Sequence, residues 1–318
     1  MKGKRNPHSI DSVITIPHQD EKLPGFKRIV AQTVRDVFGI EQEDERAYPL
    51  QQFLDNDDHG AEHVYNVYQK ALDIADAVEI KTKLKVRRDV LYVMIALHDS
   101  GRFHTSKPDP QDTPAQIAIK KKKEDIADSR HALYGQAQLR LALEKLADKG
   151  ITIDPQIIQD INNYIYNHDY MTPMLNGDRY TEPSTIEGQI ARLADRISTD
   201  AITEIERYRK TGKRRGTAFF NPKIHFEDRV NFRFSQAGKY IKEGKLDQFM
   251  FFATLLAVKA SDFTHPVLQE IYQERAPQKR AAAEHIFTMA TQEEIDPATI
   301  AQMREVVKEY GKLYEFEF

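Results

Sequence analysis

The 318-residue chain contains no cysteine. That absence excludes disulfides, thiolate metal sites and cysteine nucleophiles together. It also lacks a dominant charge: 46 Lys plus Arg stand against 49 Asp plus Glu, a net charge of -3. A chain that coats nucleic acid by charge alone is excluded by that balance. There is no long hydrophobic run either, since the longest, Phe249 to Val258, is about half of what a bilayer span requires. Residues Met1 to Ser12 are polar, without the apolar stretch of a secretory signal. A soluble, cytoplasmic protein is expected. Period-two alternation and internal repeats are missing as well, which argues against sheets and solenoids. What remains is a hydrophobic share of 40%, enough for a buried core, in a chain long enough for one large domain or two modest ones.

Apolar residues three and four apart recur along the chain and predict helices. Val86, Val90, Val93, Met94 and Leu97 form one stripe, stopped near Gly101. A second begins after Asp128 or Ser129 and runs through Leu133, Leu139, Leu143 and Leu146 to Gly150. A third has Asp154 as N-cap and Pro155 at the first helical position, followed by Ile158, Ile161, Ile165 and His168. A fourth opens with Ser184 and Glu187 spaced as a capping box and continues through Ile190, Leu193 and Ile197. Further helices are expected at 227–243, 245–260, 264–274, 278–290 and 297–313. The fold class is therefore all-α. Breaks fall in the polar lead-in 1–25, in the proline-bearing connection 102–128 with its Lys120 to Lys123 run, and around the basic stretch Arg207 to Arg215. The basic stretches read as solvated faces or mobile loops.

Histidine and aspartate carry the chemistry. Of eleven histidines, those at 59, 63, 98, 104, 131 and 168 fall in one part of the chain, and several sit at helix starts or ends. His63 heads an amphipathic helix, His98 and Asp99 end the apolar one, His131 opens the next, and His168 ends the Ile158 stripe on its core face. Asp195 lies in the fourth helix. Burying several imidazoles and two carboxylates together is costly without compensation, and a divalent cation compensates both ligand types. His8, His18, His225, His265 and His285 lack such a context.

These residues resemble the HD superfamily of metal-dependent phosphohydrolases. Ala96-Leu97-His98-Asp99-Ser100-Gly101-Arg102 is similar to that family's apolar-His-Asp-x-Gly-Lys/Arg stretch, His59-Gly60-Ala61-Glu62-His63-Val64 to its first-histidine helix, and Arg192-Leu193-Ala194-Asp195 to its final-aspartate helix. The likeness spans about residues 55 to 200. Arg130-His131 through Gly135, and Asn167-His168-Asp169, resemble the extra histidine motifs of two-metal members. The resemblance implies an HD helical bundle with an additional C-terminal helical region. The expected division is a lead-in and helix over 1–50, the HD domain over 51–205 and C-terminal helices over 206–318. It implies metal ligands His63, His98, Asp99, His131, His168 and Asp195, with Asp99 bridging if two ions bind; in one-metal members, histidines near 131 and 168 contact phosphate instead. One or two divalent ions are expected, with Mn, Fe, Mg, Co, Ni and Zn undistinguished.

The implied activity is hydrolysis of a phosphomonoester or phosphodiester, a nucleotide above all, by metal-activated water. Asp99 and Arg102 are the candidate catalytic residues. Arg102, Arg130 and His59 are the candidate substrate contacts, with Arg102 also readable as a helix C-terminal cation. Two alternatives share the ligand set: a mixed-valent di-iron oxygenase and a cyclic-dinucleotide phosphodiesterase. The second subfamily carries Gly-Tyr-Pro, where this chain has Asn176-Gly177-Asp178-Arg179-Tyr180-Thr181-Glu182-Pro183. The expected partner is a small phosphorylated molecule, with neither membrane nor nucleic acid, and the helices after residue 222 shape the pocket, cover the core or form a homo-oligomer interface.

Overall fold

The computed structural model describes residues 14–38, 54–55, 60–104, 113–116, 119, 130–137, 139–140, 143–144, 153–168, 181–232, 240, 243–256, 262–274 and 276–313. Among these residues the chain is helical and contains no strand. It divides into two compact units, Met1–Ser198 and Thr199–Phe318.

In the first unit, α1 (Leu23–Phe38) buries Phe26, Val30 and Val34, one residue per turn. The long α2 (Ala61–Thr82) buries Val64, Val67, Tyr68, Ala71, Leu72, Ala75 and Val78, the three-and-four spacing of a single helical face. It stops where Lys83 enters the left-handed region at φ 64° and returns its N–H to the Glu79 carbonyl. Helix α3 (Arg88–Leu97) differs in kind, because every residue from Val90 to Leu97 is buried. A helix apolar all round must be surrounded, and α3 packs on α1, α2, α4 (Pro155–Asn167) and α5 (Ile186–Ile197). Each fully buried Val, Leu or Ile there contributes about 1.5–3 kcal/mol. Phe26 pins α1 to this core, with its ring 5.2 Å from Tyr65, 5.6 Å from Tyr68 and 6.2 Å from Tyr92. After α3 come a 3-10 turn, Ser100–His104, and a helical segment at 130–137.

The start of α4 follows the sequence expectation: Asp154 caps it by accepting from the Gln156 N–H, and Pro155 takes the first helical position. The start of α5 does not. Its cap is Thr185, whose hydroxyl accepts from the Gly188 N–H, so the Ser184/Glu187 capping box is not made. Glu187 turns the other way. It accepts from the backbone N–H and the Nε of Arg87 at 2.9 and 3.1 Å, and Arg87 Nη2 donates to Asp160 at 3.0 Å. One arginine at the head of α3 thereby ties it to α4 and α5, two of the three other helices that carry residues of the candidate site.

The second unit holds α6 (Ala201–Arg215), α7 (Phe226–Asn231), α8 (Gln248–Leu255), α9 (Pro266–Gln273), α10 (Ala276–Gln292) and α11 (Pro297–Leu313). Its core includes Ile205, Phe249, Phe252, Ile286, Phe287, Met303 and Val307. The basic stretch is the second half of α6, closed by Gly216 at φ 70°, and Lys210 and Lys213 on it are exposed. Arg207 pairs with Glu204 one turn back, and Arg209 and Lys213 both pair with Glu293. The helix expected over 227–243 breaks at Phe232, which is extended. Buried beside that break, Arg229 Nη1 meets Asp247 Oδ2 at 2.6 Å. Asp247 also accepts from the N–H groups of Asn221 and Met250, while Arg229 donates to the Asn221 carbonyl and lies 3.7 Å over the Phe220 ring. No helix among the described residues is long and apolar enough to cross a membrane.

Candidate metal centre

Six side chains from five segments meet inside the first unit. His63 comes from the first turn of α2, His98 and Asp99 from the end of α3, His131 from the segment 130–137, His168 from the end of α4 and Asp195 from α5. Asp99 stands at the middle, and its two oxygens face different groups. Oδ2 lies 3.3 Å from His98 Nε2 and 3.9 Å from His63 Nε2. Oδ1 lies 3.3 Å from His131 Nε2 and 3.7 Å from His168 Nε2. Asp195 Oδ1 completes the first group, 3.3 Å from His63 Nε2 and 3.8 Å from His98 Nε2. His98 and Asp99 are only 1% and 3% exposed.

Two helix ends share a device that orients these rings. His98 follows α3 and His168 follows α4, and each Nδ1 lies 2.7 Å from the carbonyl three residues back, Ile95 and Ile165. A carbonyl can only accept, so Nδ1 carries the hydrogen in both, and a neutral ring presents its Nε2 lone pair to the centre. The imidazoles thereby satisfy last-turn carbonyls that would otherwise be orphaned. The negative poles of two helices also converge where the lone pairs point, an arrangement that favours a cation.

Close approach of the backbone depends on two glycines. A Cβ on Gly101 would run into the carbonyl of His131, and one on Gly135 would sit 3.0 Å from the Ile165 methyl. The Gly of the His-Asp-x-Gly stretch and the Gly four residues after His131 are therefore packing requirements: they let the 3-10 turn, the 130–137 segment and α4 touch.

The charges are strained without a cation. Burial opposes the charged form of His98, but the charges of Asp99 and Asp195 outweigh it and push its pKa up to about 9. Burial also opposes ionisation of Asp195, yet the His63 hydrogen bond and the charge of His98 hold it below the usual carboxylate range. Even so, His98 Nε2 has no hydrogen-bond partner among the described residues. His131 and His168 face each other Nε2 to Nε2 at 2.9 Å, a contact that needs a shared proton or a cation. The donor set of neutral imidazoles and ionised carboxylates suits a divalent metal ion, and two groups have ligand atoms within 4.8 Å of one another: His63, His98, Asp99, and Asp99, His131, His168. The residues fit the ion.

Of the candidate substrate contacts, Arg102 is inside the centre, but its guanidinium does not stand out as a helix-end cation. Its Nε donates to Asp99 Oδ1 at 2.7 Å and its Nη2 is 3.5 Å from His131 Nε2. Arg130 is exposed at the head of the 130–137 segment. His59, Asp169, the Lys120 to Lys123 run and 176–180 lie outside the described residues. Sequence reasoning missed Tyr164 and Arg192, both buried. Tyr164 is one turn before His168, with ring centroids 6.2 Å apart; burial raises its phenol far above the usual value, with the charges of Asp195 and Asp99 adding to that. Arg192, one turn before Asp195, pairs with Glu182. Their spacing from His168 and Asp195 was the available signal.

Comparison with known proteins supports the class. Residues 60–200 match the HD domain family, so this stretch of the chain is an HD domain, and it holds two buried His/Asp groups able to bind metal ions. A solved protein from Lactobacillus plantarum, a structural-genomics target, is similar over 83% of this chain and 98% of its own, at 16% identity and a TM-score of 0.47. No curated protein matches the chain.

Proposed function

We propose that the protein is a metal-dependent phosphohydrolase acting on a small phosphorylated molecule, a nucleotide first among the candidates. The observation that carries this reading is the two-sided Asp99, each oxygen aimed at a pair of imidazoles, with the His98 Nε2 buried beside it and without a hydrogen bond among the described residues. A divalent ion held by these groups supplies, when bound, a water of lowered pKa and positive charge for a phosphoryl oxygen.

The rest of the work falls to the chain. His98 and His168, fixed through Nδ1, offer their Nε2 atoms without having to reorganise. Asp195 and Arg102 have the most exposed side chains of the cluster, at 20% and 19%, against 1% for His98 and 4% for Asp99. Substrate and water therefore arrive on the side between a carboxylate and a guanidinium. Arg102 attracts the phosphate there, and Asp195, held ionised, accepts a hydrogen bond from water but is too weak a base to keep its proton.

The test is phosphate release from nucleotides, cyclic dinucleotides and generic esters by metal-loaded protein. Activity is expected on at least one nucleotide, falling roughly a thousandfold in His98→Ala together with loss of bound metal. Unchanged metal content and turnover in that variant would overturn the assignment.

A further inference from the structure

The far end of α2 carries a patch that the metal centre does not use. Ile80 there is 71% exposed, more than any other large apolar side chain among the described residues, and Leu84, just past the helix, is 48% exposed. Lys81, Lys83 and Lys85 are interleaved with them and are exposed as well. The acidic residues on the same stretch of helix are already engaged: Asp76 and Glu79 both accept from Arg88 Nη2, at 2.7 and 2.9 Å. Lys83 and Lys85 form no ion pair among the described residues. We propose that this end of α2 is a docking surface for an anionic lipid bilayer, with Ile80 and Leu84 entering the headgroup layer and the lysines meeting lipid phosphates. His63 lies 17 residues earlier on the same helix, about 25 Å away at 1.5 Å per residue, so the patch is separate from the metal centre.

Charge and apolarity together choose the occupant. Reversible attachment to a membrane surface takes two weak signals, buried apolar area and attraction to anionic lipid, and one turn supplies both here. It needs no spanning helix, because it lies on the bilayer surface. A second copy of the chain would bring the same three cations against these and be repelled. A specific protein interface takes about 800 Å² per partner, more than six residues at a helix end present, whereas a fluid headgroup layer makes no such demand. The α2 dipole acts within its last turn; it accounts for Lys81, but not for exposed Ile80 and Leu84 or for Lys85, three residues past the helix end. Lys83 adds an independent sign. Its φ of 64° is the left-handed position where a helix is ordinarily closed by glycine, so a strained backbone holds an outward cation that gains no partner from the described fold.

The chain contains no tryptophan, so Leu84→Trp in the full-length protein places a single indole fluorophore at the patch. Vesicles of phosphatidylcholine with phosphatidylglycerol are expected to move its emission to shorter wavelength, and vesicles of phosphatidylcholine alone to leave it unchanged. Salt should abolish the shift as the reach of charge falls from about 10 Å at 0.1 M to about 3 Å at 1 M. Each lysine supplies about fivefold of the partition constant, so Lys85→Gln in the otherwise unaltered chain should weaken co-sedimentation with the anionic vesicles about fivefold. Lys83→Gly should weaken it equally in a protein no less resistant to thermal unfolding, because glycine relieves the backbone; a lysine that served the fold alone would leave vesicle binding unchanged. Leu84→Trp emission that anionic vesicles do not move overturns the docking surface, even where the protein sediments with them through another region. An equal shift on neutral vesicles overturns it too. A shift with soluble polyglutamate and none with vesicles assigns the patch to an acidic protein and overturns the bilayer.

Discussion

In the unit Thr199–Phe318, Arg229 and Asp247 are 2% and 0% exposed, and each is answered from several sides: one ion pair, two backbone N–H groups, a carbonyl and an aromatic face. In the unit Met1–Ser198, Asp99 and His98 are as deeply buried, yet His98 Nε2 has no hydrogen bond among the described residues and two imidazoles point their Nε2 atoms at each other. The contrast separates charge buried for architecture from charge buried for chemistry. A closed network holds the fold together, while an open one waits for something that is not protein.

The comparison is open to attack first where the effect is largest. Asp247→Ala leaves Arg229 buried without its counter-charge and is expected to cost about 3–5 kcal/mol in urea unfolding of the full chain. Asp99→Asn in metal-stripped protein is expected to cost less, about 1–2 kcal/mol, because Asn keeps a carbonyl oxygen for Arg102 Nε while removing a buried charge that serves binding. Equal costs for the two substitutions would erase the distinction. Next comes Gly101→Ala, which forces a Cβ against the His131 carbonyl; about 1–3 kcal/mol of overpacking and a tenfold to hundredfold weaker metal affinity are expected.

Acidity sharpens the same contrast. The pKa of His98 is raised in the folded metal-free protein to about 9, above an unfolded value of about 6.5. Its contribution to stability is therefore complete below about pH 6.5 and disappears as pH rises through about 9. A bound metal must displace that proton, so metal affinity should climb over the same interval. Unfolding midpoints with and without Mn²⁺ should diverge as pH increases; parallel curves would show that proton and metal do not compete. The smallest effect belongs to Thr185→Ala, which removes the cap of α5 and is expected to cost about 1 kcal/mol in the same unfolding measurement without changing metal stoichiometry.

Much of this could be read from the chain, for reasons that differ by residue. His98 and His168 were legible because each follows an apolar helical stripe, and a stripe that meets the core carries its last residue there too. Asp154 and Pro155 were legible because capping is local. Glu187 was misread for the same reason: its spacing from Ser184 suits a cap, while its partner Arg87 lies 100 residues away, and nothing local announces such a pairing. Arg102 was legible as a cation near the site but not in its direction, which depends on a turn that folds it onto Asp99. The closed Arg229–Asp247 network had no motif, since its members are ordinary residues given meaning by burial alone.

The termination of α3 has a consequence for how this domain can vary. His98 and Asp99 sit directly beyond a helix whose start is clamped by Arg87 to two neighbours. One residue added between those points would rotate the imidazole by about 100° and advance it about 1.5 Å, turning it away from His63 and Asp195. The stretch from Arg87 to Asp99 is thus a ruler as well as a core: it can tolerate exchange of one apolar residue for another, but no change of length.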